Sequence, residues 1–103
     1  MNSSDSEPIT VVGWKGCPYF ARSKILLDKI SVGEVKEFSD RRKYKTWLSK
    51  NTGVFRSDQA KTHVSCPFVF KGDLYIGGND AFHAWVAWMK RSVRRMTNMN
   101  SKM

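Results

Sequence analysis

The first thirty residues confine this chain to a narrow set of folds. Ile9-Thr10-Val11-Val12-Gly13-Trp14 is a β-branched, apolar run, the composition of a buried strand. Lys15-Gly16 breaks it, and Cys17-Pro18 opens a new segment. Proline suits a first helical position, where its missing N–H would be unpaired in any case. From Pro18 to Ile30 the period becomes helical, with Phe20, Ser23, Leu26, Leu27 and Ile30 on one face. Ser31-Val32-Gly33 ends the helix, and Val35 to Ser39 reads as a second strand. Two strands joined by a helix pack in parallel through a right-handed crossover.

The rest of the chain completes one sheet. Asp40 can cap a helix whose apolar stripe is Tyr44, Trp47 and Leu48, with Gly53 as its stop. Residues 54–65 carry no period and read as the longest loop. Phe68-Val69-Phe70 and Leu74-Tyr75-Ile76 flank Lys71-Gly72-Asp73, a hairpin signal. Asn79 is a good N-cap for a last helix bearing Phe82, Trp85, Val86, Met89 and Val93 at i, i+3, i+4, i+7 and i+11. The order β-α-β-α-β-β-α predicts an α/β fold, a four-stranded mixed sheet with helices on both faces. Residues 9–93 form the domain, between a polar, frayed 1–8 and a basic, polar tail at 94–103. No internal repeat is visible.

Composition narrows the function. At 103 residues and 41% hydrophobic the chain suits one small core. No apolar run approaches the roughly 18 residues of a membrane span. Met1 to Pro8 is polar and acidic and does not read as a secretory signal, so a cytoplasmic location is expected. Two Cys cannot build a disulfide-rich scaffold, and no Cys-x-x-Cys pair is present for zinc. Eighteen Lys and Arg against nine Asp and Glu leave a formal charge of +9, which favours anionic partners.

Cys17 carries the chemistry. A thiol is a nucleophile only as the thiolate, and a helix N-terminus favours that anion through free N–H groups and its dipole. Cys17 stands at such a mouth, after a buried strand and close to Lys15. A free Cys is also often buried and inert, so position alone leaves both readings open.

Three segments then resemble the glutaredoxin family. Val11 to Phe20 is similar to its active-site segment, with Cys-Pro-Tyr-Cys altered to Cys-Pro-Tyr-Phe. Ser65-Cys66-Pro67 resembles its Thr-Val-Pro, whose proline is cis. Ile76-Gly77-Gly78-Asn79-Asp80 resembles its Gly-Gly glutathione-binding turn, and the likeness spans about residues 9 to 92. It implies a thioredoxin-like fold and thiol–disulfide chemistry with glutathione as cosubstrate. Cys17 becomes the nucleophile and mixed-disulfide carrier, and Tyr19 flanks the glutathione. Cys66 supplies backbone N–H and C=O, with Pro67 holding the turn. Gly78, Asn79 and Asp80 take the γ-glutamyl end, partly through helix N-terminal amides. Lys15 and Lys45 fall near positions that approach glutathione carboxylates.

Four departures from the family pattern matter. Phe20 holds the place of the second active-site cysteine, so a monothiol mechanism is implied, deglutathionylation of mixed disulfides through Cys17. Lys15 precedes the nucleophile by two residues instead of three. Ala81 replaces an acidic residue after Asp80, and the loop before Ser65 is longer than usual. Phe20 shares a face with Leu26, Leu27 and Ile30, which reads as core packing. The residue before the cis-proline faces the active-site sulfur in this family, so Cys66 is expected near Cys17. It reads either as a resolving or auxiliary thiol, including a second sulfur ligand for a metal or iron–sulfur site, or as a Val-sized apolar replacement. The strict geometry of disulfides weighs towards the replacement.

Other readings are plainer. His63 reads as an exposed loop residue, and Tyr44, Trp47, Trp85 and Met89 as core. Trp88 lies off the stripe and reads as a partly exposed aromatic. Arg41-Arg42-Lys43, Arg91, Arg94 and Arg95 read as solvated charge. Glutathionylated or disulfide-bonded proteins are the expected partners, with acidic proteins a further class. Two alternatives to the oxidoreductase remain: a glutathione-dependent iron–sulfur carrier holding its cluster through Cys17, and a redox-silent basic adaptor. Without a stacking face or groove-reading helix, nucleic acid ranks low.

Overall fold

The structure, a computed structural model, describes residues 7–30 and 33–101, with side chains through residue 91. The expectations for residues 1–6, for the stop at Ser31-Val32, and for the side chains of Val93, Arg94 and Arg95 lie outside that range. Strand β1 (Ile9–Trp14) leads to helix α1 (Pro18–Ile30), strand β2 (Gly33–Phe38) and helix α2 (Arg41–Asn51). A 3-10 turn (Thr52–Val54) and the single-turn helix α3 (Asp58–Lys61) precede the hairpin β3 (Phe68–Lys71) and β4 (Leu74–Gly77). Helix α4 (Asn79–Ser101) closes the order.

The sheet runs β2-β1-β3-β4. β1 is parallel to β2, with Val11 opposite Val35, and antiparallel to β3, with Val11 opposite Val69. The alternation of a strand divides the core in two. Ile9 and Val11 face Phe20, Leu27, Val69, Phe82 and Val86 on the side of α1 and α4. Val12 faces Tyr44, Leu48, Phe55, Ala60 and Phe68 on the side of α2 and α3. Phe20, Phe68 and Phe82 are almost completely buried, and each such side chain contributes about 1.5–3 kcal/mol by leaving water. The edge strand β2 is exposed along most of its length. Its Glu34, Lys36 and Glu37 discourage pairing with another strand's edge.

The predicted α/β architecture is observed. Asp40 caps α2 by accepting the Lys43 N–H at 2.9 Å, as its position predicts. The expected loop at 54–65 instead contains a structured turn. Ser57 caps α3 by accepting the Ala60 N–H, while Phe55 packs edge-on to Phe70 and tilted against Phe68. A single helical turn is too short to leave a period in sequence, and its stability comes from those tertiary contacts. Two expectations on α4 fail. Met89 is 37% exposed, outside the core, because the stripe that buries Phe82 and Val86 has passed the edge of the sheet. Asn79 does not cap: the first helical carbonyl is that of Gly78, which accepts the Phe82 N–H at 2.9 Å. Trp88 is exposed, as read. Among the described residues no helix is long and apolar enough to cross a membrane.

Candidate active site at the mouth of the first helix

The site forms where β1 ends. Lys15 N–H still donates to Phe38 at 2.8 Å, so the parallel ladder persists one residue beyond Trp14. The chain then turns at Gly16, whose φ of +102° a side chain would strain, and Cys17 N–H closes the turn on the Trp14 carbonyl. Cys17 is the N-cap of α1. Its carbonyl accepts the Ala21 N–H at 3.1 Å, and its Sγ accepts the Phe20 N–H at 3.4 Å. The sulfur therefore takes the place that a capping oxygen usually fills, facing the positive end of the helix dipole. As a thiol it donates to the Cys66 carbonyl, 3.6 Å away. Ionisation would lose that contact and keep the Phe20 N–H.

Phe20 is buried against this corner, as its helical face predicts. A Cβ on Gly13 would lie 2.4 Å from the Phe20 ring and 3.0 Å from the Cys66 sulfur. The missing side chain at Gly13 is thus the space that the ring occupies.

The Cys66–Pro67 peptide bond is cis, and three side chains clamp the segment around it. Tyr44 O–H donates to the Ser65 carbonyl, and the Lys45 ammonium donates to the Val64 carbonyl at 2.7 Å. His63 Nε2 meets the carbonyls of Ser65 at 2.9 Å and Pro67 at 3.0 Å. Both are acceptors, so Nε2 carries the proton and Nδ1 accepts from the Tyr75 hydroxyl at 2.6 Å. His63 also packs edge-on against Phe68. The expected exposed loop histidine is in fact a half-buried bridge between α3, β4 and the cis-proline turn. Burial of Tyr44, with the nearby sulfurs of Cys66 and Cys17, raises its phenol well above the usual value, so it remains a donor. Burial likewise pushes the Cys66 thiol up to about 12, reinforced by its contact with Cys17 and opposed by the Trp14 backbone.

Burial lowers the His63 pKa from the ordinary 6.5; its bonds to Pro67 and Ser65 act in the other direction, and Lys45 lowers it further. The folded state then binds its proton less readily than the unfolded chain. This contribution to stability is fully present above about pH 6.5 and is lost as pH falls through that value. His63→Gln keeps an N–H donor but cannot titrate. Urea midpoints measured between about pH 7.5 and 5 should fall more steeply for the wild type than for His63→Gln. Parallel declines would remove His63 as the source.

A shallow groove of about 280 Å³ runs beside Cys17, lined by Tyr19, Ser65, Cys66, Gly78, Asn79, Asp80 and Ala81. It brings together five of the predicted site residues, Tyr19, Cys66, Gly78, Asn79 and Asp80. Pro67 is buried behind it and acts through its neighbours. Lys15 and Lys45 lie outside the lining, with Lys15 exposed and Lys45 holding Val64. Asn79 has a structural task as well, accepting the hydroxyl of buried Ser23 at 2.9 Å and so tying α4 to α1. In the Gly-Gly turn it is Gly77 that needs to be glycine. Its φ is +134° and a Cβ would come within 2.7 Å of Ala81, whereas Gly78 meets nothing closer than 3.7 Å. A larger cavity of about 480 Å³, lined in part by Glu7, Thr10, Glu34 and Trp47, lies at the opposite end of β1 and contains no thiol. Cys17 and Cys66 both lie away from it.

Sequence reasoning missed His63, Tyr75, Ser23 and Ser65 as parts of the site's support. Each is an ordinary polar residue whose partner is distant in sequence, so no local pattern marks it. Among the described residues no three His, Cys, Asp or Glu side chains cluster as a metal site.

Neither a protein-family model nor a curated protein matches this chain. Among solved structures, the crystal structure of oxidized glutaredoxin 2 from Chlamydomonas reinhardtii is similar, with a TM-score of 0.56 and 22% identity. The match covers 98% of this chain and 89% of that one. What the two share on this measure is the fold, a four-stranded mixed sheet flanked by helices.

Proposed function

We propose that this protein is a glutathione-dependent thiol–disulfide oxidoreductase working through Cys17 by a monothiol mechanism. The observation that carries the reading is the Cys17 sulfur, which caps α1 and accepts the Phe20 N–H beside an open groove. The thiol at this helix mouth is the group we assign to exchange with a disulfide. The thiolate attacks the glutathionyl sulfur of a mixed disulfide, and the target protein leaves as its thiol. A second glutathione thiolate then attacks the Cys17 adduct, releasing oxidised glutathione and restoring Cys17. Phe20 offers no second thiol within the motif, so the first adduct must wait for an outside reductant or for another sulfur.

The groove suits a tripeptide bound partly through its backbone. The Cys66 main chain would pair with the cysteinyl residue, and Tyr19 would flank it. The amides of Gly78 and Asn79 at the mouth of α4, with Asp80 opposite the amino group, would receive the γ-glutamyl end. Lys15, exposed and two residues before Cys17, is the cation we assign to a carboxylate; Lys45 supports the Val64 carbonyl instead. The formal charge of +9 would draw in an anionic tripeptide and glutathionylated acidic proteins alike.

Incubating the reduced protein with oxidised glutathione should give one glutathionyl adduct, mapped to Cys17 by peptide mass spectrometry. The protein should also remove glutathione from a glutathionylated peptide, at a rate set by free glutathione. Failure to modify Cys17 in the folded protein, while the urea-unfolded chain is glutathionylated there, would overturn this reading.

A further inference from the structure

The chain has two cysteines. They stand 49 residues apart in sequence, yet the fold brings them to one point. The Cys17 sulfur lies 3.6 Å from the Cys66 carbonyl, and both cysteines belong to the same apolar cluster. Both are free. The Cys66 sulfur is seated towards the end of β1, beside the space left by Gly13 and next to the Trp14 backbone. His63, Tyr44 and Lys45 hold the carbonyls of Val64, Ser65 and Pro67 on either side of it. The backbone carrying Cys66 is therefore fixed where its carbonyl meets the Cys17 sulfur.

We propose that Cys66 is a second redox-active thiol, resolving the Cys17–glutathione adduct by closing an intramolecular Cys17–Cys66 disulfide. This rests on the preceding reading of Cys17. In the step, the Cys66 sulfur attacks the Cys17 sulfur, forming the Cys17–Cys66 bond as the Cys17–glutathione bond breaks. Cys66 is oxidised, glutathione is reduced, and the proton lost by Cys66 ends on the departing glutathione thiolate. Two glutathione thiols reopen the ring, the first forming a new mixed disulfide and the second leaving with it as oxidised glutathione.

The chemistry of Cys66 sets the pace. Its burial keeps the sulfur protonated at neutral pH, so only a small fraction is thiolate at any moment. Ring closure is consequently slow near neutrality, and rises about tenfold per pH unit as that fraction grows. External glutathione, when abundant, wins the competition for the adduct. When glutathione is scarce, the adduct closes on itself, and the protein is stored as an internal disulfide with its nucleophile protected. Phe20 fills the ordinary partner's place with a ring, and the resolving sulfur comes from the cis-proline turn instead.

The test begins with the Cys17 adduct, made with oxidised glutathione and freed of small thiols by gel filtration. Intact mass and free thiol are followed between about pH 7 and 9. The wild type should lose the glutathionyl mass, release one glutathione per chain and retain no free thiol, about tenfold faster for each pH unit. Cys66→Ser and Cys66→Val should keep the adduct. A wild-type adduct as long-lived as that of either variant overturns the proposal. If no adduct forms at all, the reading of Cys17 as a glutathione carrier has failed, and the pair is tested by itself with diamide on the dilute, reduced protein. A peptide linking Cys17 to Cys66 upholds the internal disulfide; two free thiols or intermolecular dimers alone overturn it.

Discussion

Cys17→Ser is expected to lower glutathione–disulfide exchange by roughly a thousandfold or more while leaving the fold intact. The loss follows from the proposed nucleophile: a hydroxyl in this position is not ionised at neutral pH. The preserved fold follows from the cap. The Cys17 sulfur accepts the Phe20 N–H at the start of α1, and serine is among the residues that best perform that task. Its oxygen should take over the bond, with the urea midpoint falling by the equivalent of about 1 kcal/mol, since the site is only 6% exposed. Exchange rate, glutathionyl adduct and midpoint measured on one preparation separate chemistry from stability. Retention of a tenth or more of the wild-type rate would move the reaction away from Cys17.

Phe20→Cys, which would complete a Cys-Pro-Tyr-Cys motif, is expected to destabilise the protein by about 3 kcal/mol. Phe20 is 1% exposed and packs in the core with Val11, Leu27, Val69 and Phe82. Cutting the ring back to a thiol removes its burial and leaves a cavity, which Gly13 cannot help to fill. Gly13→Ala in the wild type should also destabilise, by about 1–3 kcal/mol, because the new methyl would fall 2.4 Å from the ring. In the Phe20→Cys background the same methyl enters the vacated space and should cost much less. A double-mutant cycle by urea denaturation should therefore give a coupling of about 1–2 kcal/mol, with the second change partly rescuing the first. Equal costs for Gly13→Ala in both backgrounds would show that the ring does not exclude the side chain. The Cys66 sulfur, 3.0 Å from the same methyl, would then be its principal opponent.

These two substitutions describe one corner from opposite sides. In the proposed reading Cys17 takes part in chemistry and is replaceable for stability. Phe20 is three residues on, cannot react, and is needed for packing. Both residues are buried, but the Cys17 sulfur stays at the helix mouth against the Phe20 N–H while the Phe20 ring fills the space beside Gly13.

Much of the fold was legible. The β-branched run at Ile9–Trp14, the break at Gly16 and the helical face through Phe20, Ser23 and Leu27 place the thiol at a helix mouth without any structure. The hairpin around Gly72 and the stripe on α4 were equally plain, each resting on contacts within a few residues. Phe55 and α3 were not, because one turn of helix has too few residues to show a period and is held by Phe68 and Phe70 from the hairpin. Met89 misled for a related reason. Helical spacing tells which face a residue occupies, and the extent of the sheet beneath decides where burial ends.

The candidate site divides along the same line. Residue types and local spacing were enough for the order of the longer elements, the cysteine at a helix mouth, the absence of a second thiol in its motif and the excess of positive charge. Each is a matter of residue type and local spacing, which backbone geometry translates directly. That the Cys66 carbonyl meets Cys17, that Gly13 is empty because Phe20 fills its space, and that His63 faces Tyr75 and the cis-proline turn came from packing across the fold. Those contacts join residues brought together by the sheet order β2-β1-β3-β4. Their energies depend on distance and burial, quantities that exist only once the chain has closed.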